Sequence, residues 1–302
     1  MLTIPSNFAQ SMRDVHGAAG ESWVGQLPGI VSECVERWSL KVAEPFQLLS
    51  YNWVAPAVGS DGASLVLKVG FPCRELRSEI GALRIYDGRG SARLVDADDD
   101  LGALLLERLL PGVTLDSVQD ETDATTIAAG AMRQLWRPAP ANHQFPTIAD
   151  WGKGFERLHR KFDGGTGPFP ANLVAEAEET FASLLATSAE PVVLHGDLHH
   201  FNILSAEREP WLAIDPKGVV GEPAYEVGAF MRNPWPQLLS QPDVRIIMSR
   251  RLDAFSGELG FDRQRLRGWA FAQAVLSAWW SYEDHRKVSE HALACAALLR
   301  RA

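Results

Sequence analysis

The spacing of apolar positions changes character along the chain. Residues 7–40 carry helix-compatible spacing with interruptions at Gly17, Gly20, Gly25 and Pro28, and the pattern shifts at Pro45. Segments 46–51, 53–58 and 64–69 are rich in Val, Leu and aromatic residues and predict strands, the last two joined as a hairpin by the turn sequence GSDG at 59–62. A helix is predicted over 74–86, then strands over 92–97 and 103–109 around the DDDLG turn at 98–102. The N-terminal third therefore reads as a five-stranded antiparallel sheet with one inserted helix.

Pro111-Gly112 ends that pattern. Helical spacing dominates afterwards, over 121–136, 148–162, 172–187, 242–257, 262–284 and 288–301, with a short β-like island at 192–194, 203–205 and 211–214 where polar residues crowd. No repeat of 20–50 residues interrupts this division. The expected organisation is a sheet lobe over 1–110 and a helical lobe over 111–302, an α+β arrangement with a linker near 107–113 and a ligand cleft between the lobes.

Composition narrows the class. A chain of 302 residues, 46% apolar, can bury about three-quarters of its unfolded surface. The net charge of −9 and the absence of a basic block argue against nucleic acid and favour a small cationic partner. No apolar run approaches the roughly 20 residues of a membrane span. The opening residues lack the charged and apolar regions of a signal peptide, and Cys34, Cys73 and Cys295 are scattered, so the expectation is a reduced, cytoplasmic protein.

Reactive side chains concentrate in LHGDLHHFNIL, residues 194–204. Asp197 and Asn202 stand five apart, the spacing of the catalytic Asp and the metal-binding Asn in the kinase loop H-R-D-x-x-x-x-N. Asp215 follows at the end of an apolar strand in AIDPKG. Carboxylate and amide oxygens suit Mg²⁺, which completes its octahedron with water and phosphate oxygens, so Asn202 and Asp215 are the candidate ligands and Asp197 the candidate base. Phosphoryl transfer also needs a cation for the nucleotide phosphates. Lys68, in the apolar strand LVLKVG, fits that need, with Glu79 on the predicted helix as its partner. The main chain around Glu107 and Leu109 can meet an adenine edge. A histidine-rich metal hydrolase is the competing reading of His195, His199 and His200, but the paired histidines follow Asp197 instead of preceding it, so His195 and His199 read as scaffolding.

These residues resemble the aminoglycoside phosphotransferase family of kinase-like enzymes, in particular the branch of streptomycin 6-kinases and hydroxyurea phosphotransferases. Two motifs carry the resemblance, HGDLHHFN at 195–202 and IDPKGVVGEP at 214–223. It implies a protein-kinase-like two-lobe fold, ATP between the lobes, Mg²⁺, and a small hydroxylated acceptor that is cationic and streptomycin-like. A kinase of another metabolite or of a hydroxyurea-like compound is the alternative, and a non-catalytic nucleotide-binding pseudokinase the alternative of another class. One departure is the lack of a G-x-G-x-x-G loop: Ser50, Tyr51 and Asn52 occupy the first hairpin, so the Ser50 or Asn52 side chain or a bare backbone amide must replace its contacts. Acids near the motif and on the C-terminal helices, Glu222, Glu283 and Asp284, are then expected to receive the acceptor's cationic groups. Glu226 reads as a polar anchor for the same loop, and Trp269, Phe271, Trp279, Trp280 and Tyr282 read chiefly as core.

Overall fold

In the computed structural model, which describes residues 2–47 and 49–302, a long helix packs on one face of an antiparallel sheet and a helical body follows. Helix α1 (Ser6–Trp38) precedes β1 (Lys41–Val42), β2 (Asn52–Val58), β3 (Ser64–Gly70), α2 (Arg74–Tyr86), β4 (Leu94–Asp98) and β5 (Ala103–Glu107). The five strands pair antiparallel in the order β1-β2-β3-β5-β4.

Strand alternation decides what each face of β3 meets. Leu65, Leu67 and Val69 point to one side, where Phe8, Met12, Trp23, Leu27 and Val31 of α1 cover them together with Trp53 and Ala55. Val66 and Lys68 point to the other side, under α2. Leu76, Ile80 and Leu83 form the apolar stripe of α2, at the i, i+4, i+7 spacing that lines one helix face. Glu79 lies within that stripe, one turn after Leu76, so the packing that seats the helix also delivers its carboxylate to Lys68. Gly17, at φ 61° and ψ −141°, bends α1 between its two runs of buried residues.

The second body contains β6 (Pro111–Thr114), α3 (Glu121–Leu135), β7 (Arg137–Pro138), α4 (Ile148–Gly152), α5 (Gly154–Lys161), α6 (Ala171–Ala186), β8 (Val192–Leu194), β9 (Ile203–Ala206), β10 (Trp211–Ala213), β11 (Val219–Gly221), α7 (Val227–Met231), α8 (Val244–Leu259), α9 (Arg263–His285) and α10 (Glu290–Leu299). Helix α9 runs through its core, packing against α6, α7, α8 and α10, and Trp269, Leu276 and Trp279 on it are buried. Two small antiparallel sheets, β10-β9-β6 and β11-β8-β7, frame the loops that carry the polar residues. Among the described residues no helix is long and apolar enough to cross a membrane.

Several expectations shift. The described residues of 46–51 form no strand, and Leu48 lies outside them. The sheet edge is instead β1, because Pro45 has no N–H to donate; Ala43 and Phe46 still bond to Pro56 and Val54 at 2.8 and 2.9 Å. The strand expected from 92 begins at Leu94, since the Ala92 N–H is drawn to Ala213 of the other body, at 2.9 Å. The helix expected over 148–162 is two helices that meet at Lys153. Strands β6, β7 and β11 are too short for their sequences to announce them.

Candidate active site

Two hairpin-like pairings assemble the polar loops. β9 pairs with β10, and the Ile214 N–H donates to the Asn202 carbonyl at 3.0 Å, which sets Asp215 beside Asn202. β11 pairs with β8, and the Lys217 and Gly218 N–H groups both donate to the His195 carbonyl, at 2.7 and 3.3 Å. Residues 195–202 and 214–218 thus become one surface. Gly196 makes the crossing possible: its φ is +83°, and a Cβ there would lie 2.7 Å from the Trp151 ring.

Buried groups hold the loop from below. Glu226, fully buried, accepts hydrogen bonds from the His195 and Gly196 N–H groups at 2.7 and 2.8 Å. Burial pushes its carboxyl up to about 7, and the two amides pull the other way. The anchor expected of Glu226 is therefore built from two backbone donors. His195, also fully buried, contacts the Ile214 carbonyl through Nε2 at 2.8 Å and accepts the Asp197 N–H at Nδ1 at 3.3 Å. Burial pushes its ring down to about 4, which keeps it neutral and suits one donating and one accepting nitrogen.

Asp197 stands above this floor. Its Oδ1 lies 3.4 Å from Arg232 Nη2 and its Oδ2 lies 3.7 Å from His199 Nε2. Burial raises its pKa, but His199, Arg232, Lys217 and His195 together outweigh that effect and hold the carboxyl below its ordinary value. Asn202 donates through Nδ2 to the Asp197 carbonyl at 3.0 Å, which leaves its side-chain oxygen as the acceptor end. Lys68, 2% exposed, reaches Glu79 at 2.6 Å and Asp215 at 3.1 Å. Burial alone would lower the Lys68 pKa, and the two carboxylates win, so the ammonium keeps its proton. Asp215, at φ 59°, spends Oδ1 on Lys68, and half of its side chain remains exposed.

This donor set fits Mg²⁺. An amide oxygen and a carboxylate oxygen are hard ligands, and two protein ligands suffice for an ion that takes its remaining ligands from phosphate and water. Among the described residues no group of three or more His, Cys, Asp or Glu converges as a metal site.

The other expected residues divide. Ser50 is exposed in the loop before β2, and Asn52 opens β2 opposite Gly70. Between them Tyr51 reaches His285 at the end of α9, oxygen to Nε2 at 2.8 Å. The Glu107 side chain is taken up by Arg208, bidentate at 3.0 and 2.9 Å, and its N–H donates to the Arg93 carbonyl, while Leu109 is buried beyond it.

Glu222 is a correction. It is 2% exposed and accepts from Arg265 through two nitrogens and from Trp269 Nε1 at 3.0 Å, so it pins α9 and has no face toward an acceptor. Glu283 is likewise engaged, accepting from Arg157 Nε and Nη2 at 2.8 Å each. Asp284 is exposed and forms no ion pair among the described residues. Sequence reasoning missed Arg232 beside Asp197 and the pairing of Lys217 with Glu75, which joins the 214–218 loop to α2. Arg232 sits in a stretch without motif character, so nothing local could have flagged it. Lys217 stands inside IDPKG and was visible but unassigned.

The sequence profile described as "Aminoglycoside/hydroxyurea antibiotic resistance kinase" matches residues 38–285. The chain belongs to that kinase family. Among its relatives, a streptomycin 6-kinase of Streptomyces glaucescens is 33% identical over 94% of this chain and 92% of its own length. A hydroxyurea phosphotransferase of Kitasatospora aureofaciens is 35% identical over 94% and 82%. The kinase-like fold is shared more widely. A thermostable mutant of aminoglycoside phosphotransferase APH(4)-Ia, solved with ADP and hygromycin B, superposes with a TM-score of 0.60 at 17% identity, covering 89% of this chain and 97% of that one. Choline kinase LicA from Streptococcus pneumoniae superposes with a TM-score of 0.64 at 12% identity, covering 91% and 98%.

In this kinase Arg232 serves two surfaces. It touches Asp197 and also lines a cavity of about 490 Å³ together with Trp235, Ser277, Ser281, Glu290 and His291. Its guanidinium is fixed by a hydrogen bond to the buried Gln273. Because Arg232 lowers the Asp197 pKa, Arg232→Gln is expected to raise it and to move the acidic limb of the kcat/KM profile to higher pH. A profile superimposable on that of the unsubstituted enzyme would remove Arg232 from the site's electrostatics.

Proposed function

We propose that this kinase transfers the γ-phosphoryl group of ATP to a hydroxyl of a streptomycin-like aminoglycoside. Asp197 takes the proton of the acceptor hydroxyl as the new oxygen–phosphorus bond forms and the bond to the departing ADP oxygen breaks. Lys68, held by Glu79, positions the nucleotide phosphates, and Asn202 and Asp215 hold Mg²⁺, which neutralises charge on the phosphates when bound. Little covalent work is left to the protein in such a transfer, so positioning and charge neutralisation account for catalysis. The linker around 107–113 is where we divide the two lobes, and the carbonyl of Glu107 and the main chain of Leu109 are the groups we assign to the adenine edge. Ser50 and Asn52 take the place of a glycine-rich loop. We assign the protein to the cytoplasm, in keeping with free Cys34, Cys73 and Cys295.

The observation that supports the acceptor assignment is a cavity of about 490 Å³ whose wall includes Arg232, the same arginine that lies 3.4 Å from Asp197; Asp197 itself does not line it. That volume lies in the range of drug-sized ligands and far exceeds the needs of hydroxyurea. Of the three acids expected to meet a cationic acceptor, Asp284 remains free, and Glu290 on the cavity wall, without an ion pair among the described residues, joins it. Incubation of streptomycin with enzyme, ATP and Mg²⁺, followed by mass spectrometry, is expected to show one added phosphoryl group. Unmodified streptomycin alongside phosphorylated hydroxyurea would replace the acceptor and leave the kinase assignment standing.

A further inference from the structure

A second cavity shares no residue with the site above. It measures about 360 Å³ and is lined by Arg89, Gly90, Arg133, Gln134, Arg137 and Glu209. Three cations face one acid, and that acid is already paired, with Arg208 at 3.0 Å. Arg133 reaches Glu258 at 3.2 Å. Arg89 and Arg137 form no ion pair with a carboxylate among the described residues. Arg137 donates once, to the Trp136 carbonyl at 2.8 Å, and its Nε is buried with no hydrogen-bond partner. A buried donor left unpaired carries its full desolvation penalty, so such a group calls for an explanation.

The backbone forces the crowding. Gly90, at φ +74°, packs so closely on the end of α3 that a Cβ would lie 2.7 Å from Gln134 Cβ, and this close approach sets the Arg89 turn beside Arg137. The turn cannot relax outward, because Arg208 donates to the Gly88 and Ser91 carbonyls at 2.8 and 2.9 Å. Burial and the neighbouring Arg89 charge push the Arg137 guanidinium below its ordinary value.

We propose that this arginine-lined cavity is a binding site for a small phosphate-bearing anion. Guanidinium groups present paired donors that match phosphate oxygens, and several of them converging from different directions suit a multiply charged tetrahedral group better than a single planar carboxylate. Arg89 follows α2, whereas Arg133 and Arg137 belong to α3 and β7, so an anion held there ties the turn after α2 to the helical body.

Isothermal titration of the full chain with inorganic pyrophosphate tests the assignment, with orthophosphate and citrate as comparison ligands. Neither Arg89 nor Arg137 is among the residues assigned to the nucleotide, so differences between variants report on this cavity. Arg89→Gln/Arg137→Gln is expected to lose one binding event or to weaken it about tenfold or more, the scale of one charge-assisted hydrogen bond. Arg89→Lys/Arg137→Lys retains the charge and is expected to fall between the two. Arg89→Gln alone, at an exposed position, provides the test if the double variant does not fold, with unchanged affinity for an ATP analogue as the check on folding. Orthophosphate competing with pyrophosphate identifies the free ion as a sufficient ligand; pyrophosphate binding alone assigns the site to a phosphate ester or anhydride. Equal pyrophosphate affinity and stoichiometry in the unsubstituted and Gln-substituted chains would overturn the proposal, as would citrate binding as tightly as pyrophosphate.

Discussion

Asp197→Ala is expected to lower turnover by about 10²- to 10⁴-fold, the range for loss of a positioned acid or base, while nucleotide affinity stays close to that of the unsubstituted enzyme. The separation follows from the geometry. Asp197 meets Arg232 and His199 through its side chain, whereas its contact with Asn202 uses the backbone carbonyl, which alanine retains. The loop below is held by Glu226 and His195, neither of which depends on the Asp197 carboxylate. Single-turnover kinetics combined with equilibrium binding of a non-hydrolysable ATP analogue distinguishes the two effects. Turnover within a few-fold of the original would exclude Asp197 as the base.

Lys68→Met should damage both the fold and the chemistry, and the two losses can be separated. Lys68 is 2% exposed and Glu79 6%, so removing the ammonium strands a carboxylate inside the packed face of α2. Breaking a buried pair in this way costs about 3–5 kcal/mol. The stranded Glu79 escapes by taking up a proton, and burial already pushes its pKa upward. A carboxyl raised in the folded state supports the fold below its unfolded pKa and ceases to do so as pH rises through the folded value. The stability gap between Lys68→Met and the unsubstituted chain is therefore expected to widen with rising pH, as read from Tm across a pH series. Adding Glu79→Leu should recover much of the stability and none of the lost performance with ATP, seen as a raised KM, a lowered kcat, or both. Full kinetic recovery in the double variant would mean that Lys68 serves only the fold.

The parts of this site that were legible in the sequence are those whose spacing is short and fixed. Asp197 and Asn202 lie on one loop, and Asp215 follows at the end of the next hairpin, so strand pairing brings them together with little freedom. Lys68 and Glu79 were legible because a strand and the helix after it share one apolar interface, which aligns a single position on each. Glu222 and Glu283 misled for the opposite reason. Their partners, Arg265 and Arg157, lie 43 and 126 residues away, and no local pattern reveals that a carboxylate is already engaged by a distant guanidinium. Arg232 escaped notice on the same grounds, being 35 residues from Asp197. In the fold, the long helices were readable from their period, whereas the edge of the large sheet was not. A two-residue strand carries no alternation, and its existence depends on which N–H groups Pro45 leaves available.

Helix α9 has a consequence for how this enzyme could change its substrate. Gln273, Ser277, Ser281 and His285 recur every four residues along it and do three jobs: Gln273 anchors Arg232, Ser277 and Ser281 line the 490 Å³ cavity, and His285 meets Tyr51. Residues four apart follow one slowly winding stripe of a helix, and this one begins at the buried Trp269 and Gln273 and runs outward through Ser277 and Ser281 to the exposed His285. Ser277 and Ser281 are half-buried, and Ser281 donates to the Lys287 carbonyl at 2.9 Å. On the proposed reading of the cavity as the acceptor site, a change at Ser277 or Ser281 recontours one wall and touches none of Asp197, Asn202, Asp215 and Lys68, so substrate choice and phosphoryl transfer rest on separate side chains.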